Sequence, residues 1–364
     1  MAGLYVHIPF CHSKCIYCDF YSTPRREKVS DVVKGLVTEL ESRKNEVDSK
    51  FETVYIGGGT PSIIAPEILK ELVDRIDKTK CVEFTIEANP EDITSEIVDS
   101  WCRMGVNRVS IGVQSLDDNL LRNLGRRHSG QEALDAIQTL QSGGINNISC
   151  DLMYGLPGLD ESVWGASLER LLATGITHLS AYCLTYYEGT MLYRMSQRGK
   201  MLPPDDDAIS LQFNMLREYT KRAGFEHYEI SNFAKEGYYS RHNTTYWRPD
   251  GRWLGIGPSA HSFDGNVRRV DYADIATWMN HLPNPYEVDE ETDMDRYNDY
   301  IVTALRTASG LDLALLPDEI RQSLLADAQK FINKDEMQQH GNYLSIKPQY
   351  WLISDSFIRE LIRL

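Results

Sequence analysis

The sequence predicts an α/β protein, most simply a partial (β/α)6 TIM-like barrel with a C-terminal, mostly helical, winged-helix-like domain. Short β-branched runs alternate with amphipathic helical patterns six times in the first half of the chain, and helical patterns dominate its end. Eight such units would close a full barrel, so six predict an incomplete, laterally open one. A doubly wound parallel sheet fits the same periodicity nearly as well.

The six strand-like runs are short and rich in β-branched and aromatic residues, as is typical of strands buried on both faces. They are LYVHI (4–8), TVYIG (53–57), EFTIE (83–87), RVSIGV (108–113), NISCDLMYG (147–155) and HLSAYCL (178–184). Between them, apolar residues recur on one helical face, as at Val32, Leu36 and Leu40. This alternation predicts parallel strands joined by right-handed crossovers.

The alternation weakens after about residue 186, which predicts three regions along the chain. These are a barrel over 1–235, a connecting segment over 236–290 and a C-terminal helical domain over 291–364. Near the end, DRYNDYIVTALRTA, LPDEIRQSLLADAQKFI and SDSFIRELIRL have helical patterns, and GNYLSIKPQYWLI suits a small hairpin. Helices followed by such a hairpin are typical of a winged-helix-like module.

Charge and composition exclude several classes of function. The 364 residues contain 38 Lys and Arg against 53 Asp and Glu, a net charge of −15, so we expect no nucleic-acid partner, which would require a basic surface. No apolar run approaches the roughly 18 residues of a transmembrane segment, and the first residues lack the features of a secretory signal. The seven cysteines show no disulfide-framework spacing. We therefore expect a cytoplasmic location.

Three of the cysteines, Cys11, Cys15 and Cys18, follow the first strand-like run with the spacing C-x3-C-x2-C. Three thiolates can hold three corners of a cubane [4Fe-4S] cluster and leave the fourth iron open to another ligand. One alternative is a zinc site completed by His7 or His12. The other is three unrelated cysteines.

Polar side chains and glycines follow the other strand-like runs. The carboxyl ends of parallel strands meet at one mouth of a βα barrel, so these residues predict a shared site. Carboxylates accept hydrogen bonds from ribose hydroxyls and a guanidinium pairs with a carboxylate, which suits a zwitterionic nucleoside. The residues are GGGTP (57–61), Glu87, Asn89, Gln114, Arg126, Asp151 and Thr185. For any one of them, a structural role is the alternative.

The cysteine motif, with Tyr17 before its third cysteine, resembles that of the radical S-adenosylmethionine (SAM) superfamily. The resemblance implies that the amino and carboxylate groups of SAM chelate the fourth iron of the cluster. One electron from the reduced cluster then gives a 5′-deoxyadenosyl radical. It also implies an electron donor, such as a flavodoxin or a ferredoxin.

Further motifs narrow the resemblance to the branch that contains oxygen-independent coproporphyrinogen III oxidase and the haem chaperones of HemW type. In chain order they are HIPFCxxxCxYCDF, GGGTPS, SIGVQS, LGRRH, DLMYGLPG, YEISNFA and HNTTYW. The resemblance implies a tetrapyrrole partner, either haem or a porphyrinogen, and cluster ligands at Cys11, Cys15 and Cys18. Its implied SAM contacts are Tyr5, Gly58, Gly59, Thr60, Glu87, Gln114, Arg126 and Asp151, to which Tyr17 and Thr185 are added as candidates.

Two departures separate this sequence from the oxidases. Phe20 stands where the oxidases have a further cysteine, and only ten residues precede Cys11 where they have an N-terminal extension. Both features resemble the chaperone branch, so we expect a haem chaperone that delivers haem to acceptor haemoproteins. The alternative is an enzyme of porphyrin biosynthesis that decarboxylates coproporphyrinogen III to protoporphyrinogen IX. A third possibility is a radical enzyme with another substrate.

The segment RHNTTYW (241–247) is the candidate haem site. His242 is the candidate axial ligand, and Tyr246 and Trp247 offer flat apolar faces to a macrocycle. Ordinary packing is the alternative for a histidine beside aromatic residues. Candidate partners for the propionates are Arg241, Arg248 and Arg252, and the spare histidines are His7, His128 and His261.

Overall fold

The computed structural model describes residues 2–47 and 50–363. Its central strands are parallel and lie side by side in chain order. They are β1 (Ala2–Ile8), β2 (Thr53–Gly58), β3 (Glu83–Ala88), β4 (Arg108–Gln114), β5 (Asn147–Tyr154) and β6 (His178–Cys183). A doubly wound sheet would reverse its strand order partway. The sequential order therefore confirms the predicted TIM-like partial barrel.

Amphipathic helices connect these strands, and their apolar faces pack against the barrel. They are α1 (Val29–Arg43), α2 (Pro66–Val73), α3 (Ser95–Met104), α4 (Asp118–Leu124), α5 (Gly130–Ser142) and α6 (Glu161–Leu172). In α1 the predicted face is buried at Val32, Leu36 and Leu40. The start of α5 is fixed by a capping box in which Ser129 and Glu132 bond each other's backbone N–H groups.

Short elements then extend the sheet beyond both β6 and β1. They are α7 (Met191–Ser196), α8 (Asp206–Arg222), β7 (Glu226–Glu229), β8 (Asn232–Ala234), α9 (Arg241–Trp247), β9 (Arg252–Ile256), β10 (His261–Phe263), β11 (Arg268–Asp271), α10 (Ile275–Asn280) and β12 (Tyr286–Asp289). The sheet order is β12-β11-β10-β9-β1-β2-β3-β4-β5-β6-β8-β7. Because β1 and β6 are not neighbours in this order, the barrel is open at its side.

The segment 236–290 is thus more than a connection, since β9 pairs parallel with β1 and three further strands follow it. A buried polar cluster fixes these strands to α1. Arg43 donates to Glu39, to Asp271 Oδ1 at 2.9 Å and to Ser262 Oγ at 2.9 Å. Trp278 Nε1 donates to Glu39 at 2.9 Å. The domain boundaries at 235 and 290 stay a prediction.

The C-terminal module has the helices and the hairpin that the sequence predicts. Its elements are α11 (Asp293–Ala304), β13 (Leu311–Asp312), α12 (Asp318–Asn333), β14 (Met337–His340), β15 (Tyr343–Ile346) and α13 (Ser354–Leu361). The strands form a sheet in the order β13-β15-β14. Short 3-10 turns occur at Pro61–Ile63, Pro90–Asp92, Leu313–Leu315 and Pro348–Ile353.

Across the two described ranges, no helix combines the length and the apolar character of a membrane-spanning segment.

Candidate functional site

A cavity of about 540 Å³ lies inside the barrel and reaches the carboxyl ends of its strands. This volume is in the range of small-molecule sites. Most of the residues that the sequence singles out line it together. They are Cys11, Cys15, Tyr17, Cys18, Gly58, Gly59, Thr60, Glu87, Asn89, Gln114, Arg126, Asp151 and Thr185.

Backbone hydrogen bonds hold the loop that carries the cysteines. Cys11 N donates to Thr23 O at 3.0 Å, and Ile16 N donates to Leu124 O at the end of α4 at 3.3 Å. At the start of α7, Leu192 N donates to Ile16 O at 2.8 Å. The positions of the three thiols therefore depend on elements that are far apart in the sequence.

Two of the three thiols have pKa values above the ordinary value of a cysteine. Burial raises the pKa of Cys11, although the Thr60 hydroxyl, which donates to Cys11 Sγ at 3.4 Å, opposes this shift. Burial also raises the pKa of Cys18 to about 11. Both are therefore protonated near neutral pH, and a bound metal would displace their protons.

The two histidines considered for a zinc site have other partners. His7 Nε2 lies 2.9 Å from Tyr21 O, and its Nδ1 lies 3.1 Å from the Tyr5 hydroxyl. His12 Nε2 lies 3.1 Å from Asp92 Oδ1. The donor set facing the cavity is thus three thiols without a fourth side chain from these histidines, which fits a [4Fe-4S] cluster with one iron left to an external ligand.

The glycine-rich turn after β2 brings backbone groups to the cavity wall. Gly59 N donates to Ile8 O at 2.7 Å, and a Cβ atom on Gly59 would lie 2.5 Å from Phe10 O. Gly58 has φ +105° and donates its N–H to Glu87 Oε2 at 3.0 Å. The turn needs glycine because it packs directly on the backbone that leads into the cysteine loop.

Two partly buried carboxyl groups face the cavity. Burial raises the pKa of Glu87 to about 7, and the charge of Asp151 raises it further. The Tyr55 hydroxyl, which donates a hydrogen bond to Glu87 at 2.7 Å, opposes this rise. Burial likewise raises the pKa of Asp151 to about 6, opposed by Ser180 and Ser110. Near neutral pH both groups can exchange protons, and as carboxylates they accept hydrogen bonds from hydroxyls.

Arg126 is held beside the cysteines. Its Nη2 atom donates to Asn89 Oδ1 and to Gly112 O, both at 2.7 Å, and its Nη1 atom lies 3.7 Å from Cys15 Sγ. Burial lowers the pKa of Arg126, but Tyr17 and Cys15 outweigh it and the net shift is upward. The guanidinium thus stays charged next to the thiols, where it can pair with a ligand carboxylate.

Gln114 ends β4 in an unusual backbone conformation. Its φ is +63°, in the left-handed region, and the pairing of β4 with β5 shifts register between Ile111 and Gln114. For a residue with a Cβ atom this conformation costs about 1 kcal/mol. It turns the Gln114 side chain toward the cavity, which that residue lines.

Sequence reasoning missed several residues of the cavity wall. On β4, Arg108, Ser110 and Gly112 line the cavity together with Gln114. Because these residues are two apart, they share one face of the strand, so the position of Gln114 alone could have identified them. The other cavity-lining residues that were missed are Ser13, Lys14, Asp19, Phe20, Ser22, Tyr55, Ala88, Met153, Ser180, Tyr182, Cys183, Leu184 and Tyr187. Asn243, which belongs to the candidate haem segment, also lines the cavity.

The candidate haem residues lie outside the cavity wall. His242 is 1% exposed; its Nδ1 lies 2.8 Å from Thr53 Oγ1 and its Nε2 lies 2.7 Å from the Tyr246 hydroxyl. Burial and the charge of Arg108 lower the pKa of His242 to about 3. Thr53 is the first residue of β2, so this helix packs near the amino ends of the strands. Trp247 is partly buried and also lies away from the cavity.

Tyr5, a candidate cofactor contact, is not among the residues that line the cavity. Its hydroxyl is 3.1 Å from His7 Nδ1, and its ring centroid is 6.1 Å from that of Tyr55 and 6.5 Å from that of His242. The candidate arginines Arg241, Arg248 and Arg252 are exposed. Of the spare histidines not yet placed, His128 is buried and bonds Val113 O at 3.0 Å, and His261 is exposed.

Comparison with known proteins agrees with the fold and with the cysteine motif. The model of the radical SAM superfamily matches residues 5–171. The heme chaperone HemW of Bacillus subtilis is 32% identical over 89% of this chain and 88% of its own. That of Mycobacterium tuberculosis is 32% identical over 99% of this chain and 94% of its own.

One solved structure matches nearly the whole fold. The coproporphyrinogen III oxidase of Escherichia coli, described as a radical SAM enzyme, aligns with a TM-score of 0.85 over 99% of this chain and 90% of its own. The two sequences are 18% identical. This likeness supports the architecture of the barrel and of the C-terminal module.

Proposed function

Because this chain belongs to the family of the heme chaperones HemW within the radical SAM superfamily, we propose that it binds a [4Fe-4S] cluster, SAM and haem, and delivers haem to acceptor haemoproteins. The observation that carries this proposal is the single cavity that three free thiols share with a glycine cradle, two carboxyl groups and a guanidinium. The seven cysteines are all free thiols, which suits the reducing cytoplasm.

In this proposal Cys11, Cys15 and Cys18 hold three irons of the cluster. The cluster supplies one-electron chemistry when it is reduced, for which a flavodoxin or ferredoxin is the expected donor. Thr60 supports Cys11 through a hydrogen bond to its sulfur, and Arg126 places a positive charge beside Cys15.

The remaining polar groups suit SAM. Arg126, fixed by Asn89 and Gly112, faces the position in which a carboxylate next to the cluster would lie. Glu87 and Asp151 are acceptors for the ribose hydroxyls, and the Gly58–Gly59 turn lets the ligand approach the backbone. Gln114, Tyr17 and Thr185 complete the proposed contacts.

For haem, the candidate residues remain His242, Tyr246 and Trp247. Both imidazole nitrogens of His242 have partners, so iron ligation there requires helix α9 to move. At the mouth of the cavity, aromatic side chains are already exposed: Phe20 to 68% and Tyr187 to 50%. They offer a flat apolar macrocycle a surface that needs no rearrangement.

The alternative activity is the decarboxylation of coproporphyrinogen III. The shared fold favours it, but the sequence identity of 18% to the oxidase supports only the architecture. Phe20, at the position of the oxidases' further cysteine, is an exposed apolar residue that cannot act as a thiol. We therefore place haem transfer first.

A paired assay after anaerobic reconstitution tests this proposal. We expect the protein to show the visible absorbance of a [4Fe-4S] cluster and to bind haem in a spectroscopic titration. With coproporphyrinogen III, reductant and SAM, we expect no protoporphyrinogen IX. Failure to bind haem would contradict the chaperone proposal, and product formation would favour the oxidase.

Matched cysteine variants serve as controls for that assay. Cys15→Ala should lose the cluster absorbance, because it removes one of three iron ligands. Cys183→Ala should keep it, although Cys183 lines the same cavity and its pKa is raised by burial to about 11, as for Cys18. Equal cluster content in both variants would sink the assignment of the motif. His242→Ala then tests the candidate haem ligand.

A further inference from the structure

Arg108 is a buried cation that the proposed function leaves without a role. It is the first residue of β4, it is 1% exposed, and it lines the cavity. Its Nε atom is buried without a hydrogen-bond partner, and no carboxylate of the described residues lies within 4.0 Å of its guanidinium. Two other arginines differ: the buried Arg43 and the partly buried Arg126 each have several partners.

Two carboxyl groups interact with the charge of Arg108, but they accept their hydrogen bonds from other residues. Arg108 favours the charged forms of Glu87 and Asp151. Glu87, however, accepts its hydrogen bonds from Tyr55 and Gly58, and Asp151 accepts one from Ser110. The donors of the Arg108 guanidinium therefore remain available to a ligand.

A second unpartnered polar group lies beside Arg108. Thr85 on β3 is in register with Arg108, and its buried hydroxyl also has no hydrogen-bond partner in the part of the chain that the structure describes. A buried cation without a partner is costly. When one partner of a buried ion pair is removed, the charge left behind destabilises a protein by several kcal/mol. Two neighbouring buried donors of this kind indicate an anion that is supplied from outside the chain.

We propose that Arg108 binds a carboxylate of the second ligand, namely a propionate of the tetrapyrrole. A guanidinium matches a carboxylate through two parallel hydrogen bonds. The name of the ligand rests on the proposed function, whereas the need for a carboxylate rests on Arg108 itself. In this proposal one propionate of the bound tetrapyrrole enters the cavity that Arg108 lines.

The carboxylate of SAM is assigned to another guanidinium. Arg126 contacts Gly112 and Cys15 near the cluster, whereas Arg108 lies four residues before Gly112 on β4. At about 3.3 Å per residue this separates the two positions by roughly 13 Å along the strand. The two arginines thus belong to different levels of the barrel wall, and we assign them two different carboxylates.

Titration with haem and with haem dimethyl ester, in which both propionates are uncharged, tests this proposal. We expect the protein to prefer haem by about 10- to 100-fold, the usual effect of a charged hydrogen-bonded pair. Arg108→Met should lose this preference, and its loss of SAM affinity should stay well below that of Arg126→Met. Arg126→Met should show the reverse. An unchanged preference in Arg108→Met, or an equal loss of SAM binding in it, would overturn the proposal.

Thermal unfolding without haem gives a second test. Sodium propionate should raise the unfolding temperature above that in sodium chloride of equal ionic strength, and Arg108→Met should abolish this difference. This probe still tests Arg108 if the protein binds no haem. It therefore distinguishes failure of the proposed haem binding from failure of Arg108 to bind a carboxylate. Arg108→Lys, which keeps the charge but not the planar fork, should retain part of the difference.

A purely structural role for Arg108 makes the opposite prediction. If Arg108 served only as a counter-ion for Glu87 and Asp151, Arg108→Met would lower the unfolding temperature of the ligand-free protein. Because an unpaired buried charge is removed, we expect an unchanged or higher temperature instead. A lower unfolding temperature of Arg108→Met, together with an intact preference for haem over its ester, would refute the proposal that Arg108 binds a propionate.

Discussion

Glu87 and Asp151 are partly buried acids whose pKa values are raised, mainly by loss of solvation, to about 7 and about 6. A carboxyl group with a raised pKa stabilises the fold only while it is protonated. Its contribution is fully present below the ordinary pKa, near 4.5 for Glu, and is lost as the pH rises through the raised value. The ligand-free site therefore destabilises the protein at neutral pH.

We expect the free energy of unfolding of the ligand-free protein to fall between about pH 5 and pH 8, and Glu87→Gln to flatten this fall. SAM affinity should rise over the same range, because the ribose hydroxyls bind the ionised carboxylate. Denaturant titrations and equilibrium binding at several pH values measure both. In the control Glu96→Gln, the pKa of the replaced exposed group is lowered by hydrogen bonds, so the fall should persist. A pH-independent wild type would contradict the prediction.

At this scale the sequence indicates which side chains come together. Cys11, Glu87 and Asp151 line one cavity, as expected for neighbouring parallel strands, although Asp151 lies within β5 and not at its end. Their roles stay a prediction. Arg108 could not be singled out, since its importance depends on the absence of a partner. His242 also shows the limit: its motif is visible in the sequence, but its bonds to Thr53 and Tyr246 depend on where α9 packs.

Among the elements, the six βα units were predictable and the strands β9–β12 were not. These strands span three to five residues, too few to show a period of two. Their position depends on Arg43, which bonds Asp271, 228 residues further along the chain. Such a contact leaves no local pattern. Burial and the charge of Glu39 raise the pKa of Asp271 well above its usual range, so one guanidinium between two carboxyl groups organises this region.

Arg43→Met should destabilise the protein by about 3–5 kcal/mol, because it leaves Glu39 buried without its cation and Asp271 without its hydrogen-bond donor. Urea unfolding measured at neutral pH gives this value. Lys44→Met is the matched control: its ion pair with Glu41 is partly exposed, so the loss should stay below about 1 kcal/mol. Similar losses in the two variants would mean that the buried cluster does not hold β9–β12 to α1.

On the scale of the whole molecule, the C-terminal module is joined to the barrel by backbone and ring contacts. Ile230 N donates to Arg306 O, and Ala308 N donates to Tyr228 O, both at 2.9 Å. The His227 ring lies 4.4 Å from that of Trp351, which is fully buried. The sequence predicts the helices and the hairpin of this module, but not the face of the barrel that they cover, since that depends on contacts between distant residues.

Trp351→Ala should cost about 3–5 kcal/mol, as expected for truncation of a buried tryptophan. Hydrogen exchange should then increase both in the C-terminal module and in β7 and β8, because the two share this contact. Tyr343→Ala, at a residue that is 49% exposed, is the control and should change stability by less than about 0.5 kcal/mol. Faster exchange confined to the C-terminal module would show that it unfolds independently of the barrel.

The left-handed backbone of Gln114 has a consequence for how variants of this protein can be improved. Glycine at that position would adopt the positive φ without the strain of a Cβ atom, and the ligand-free protein would be more stable. It would also remove the amide that the turn presents to the cavity. Selection for thermal stability alone would therefore favour glycine at position 114. The resulting protein would be more stable but would bind the ligand of the cavity less tightly.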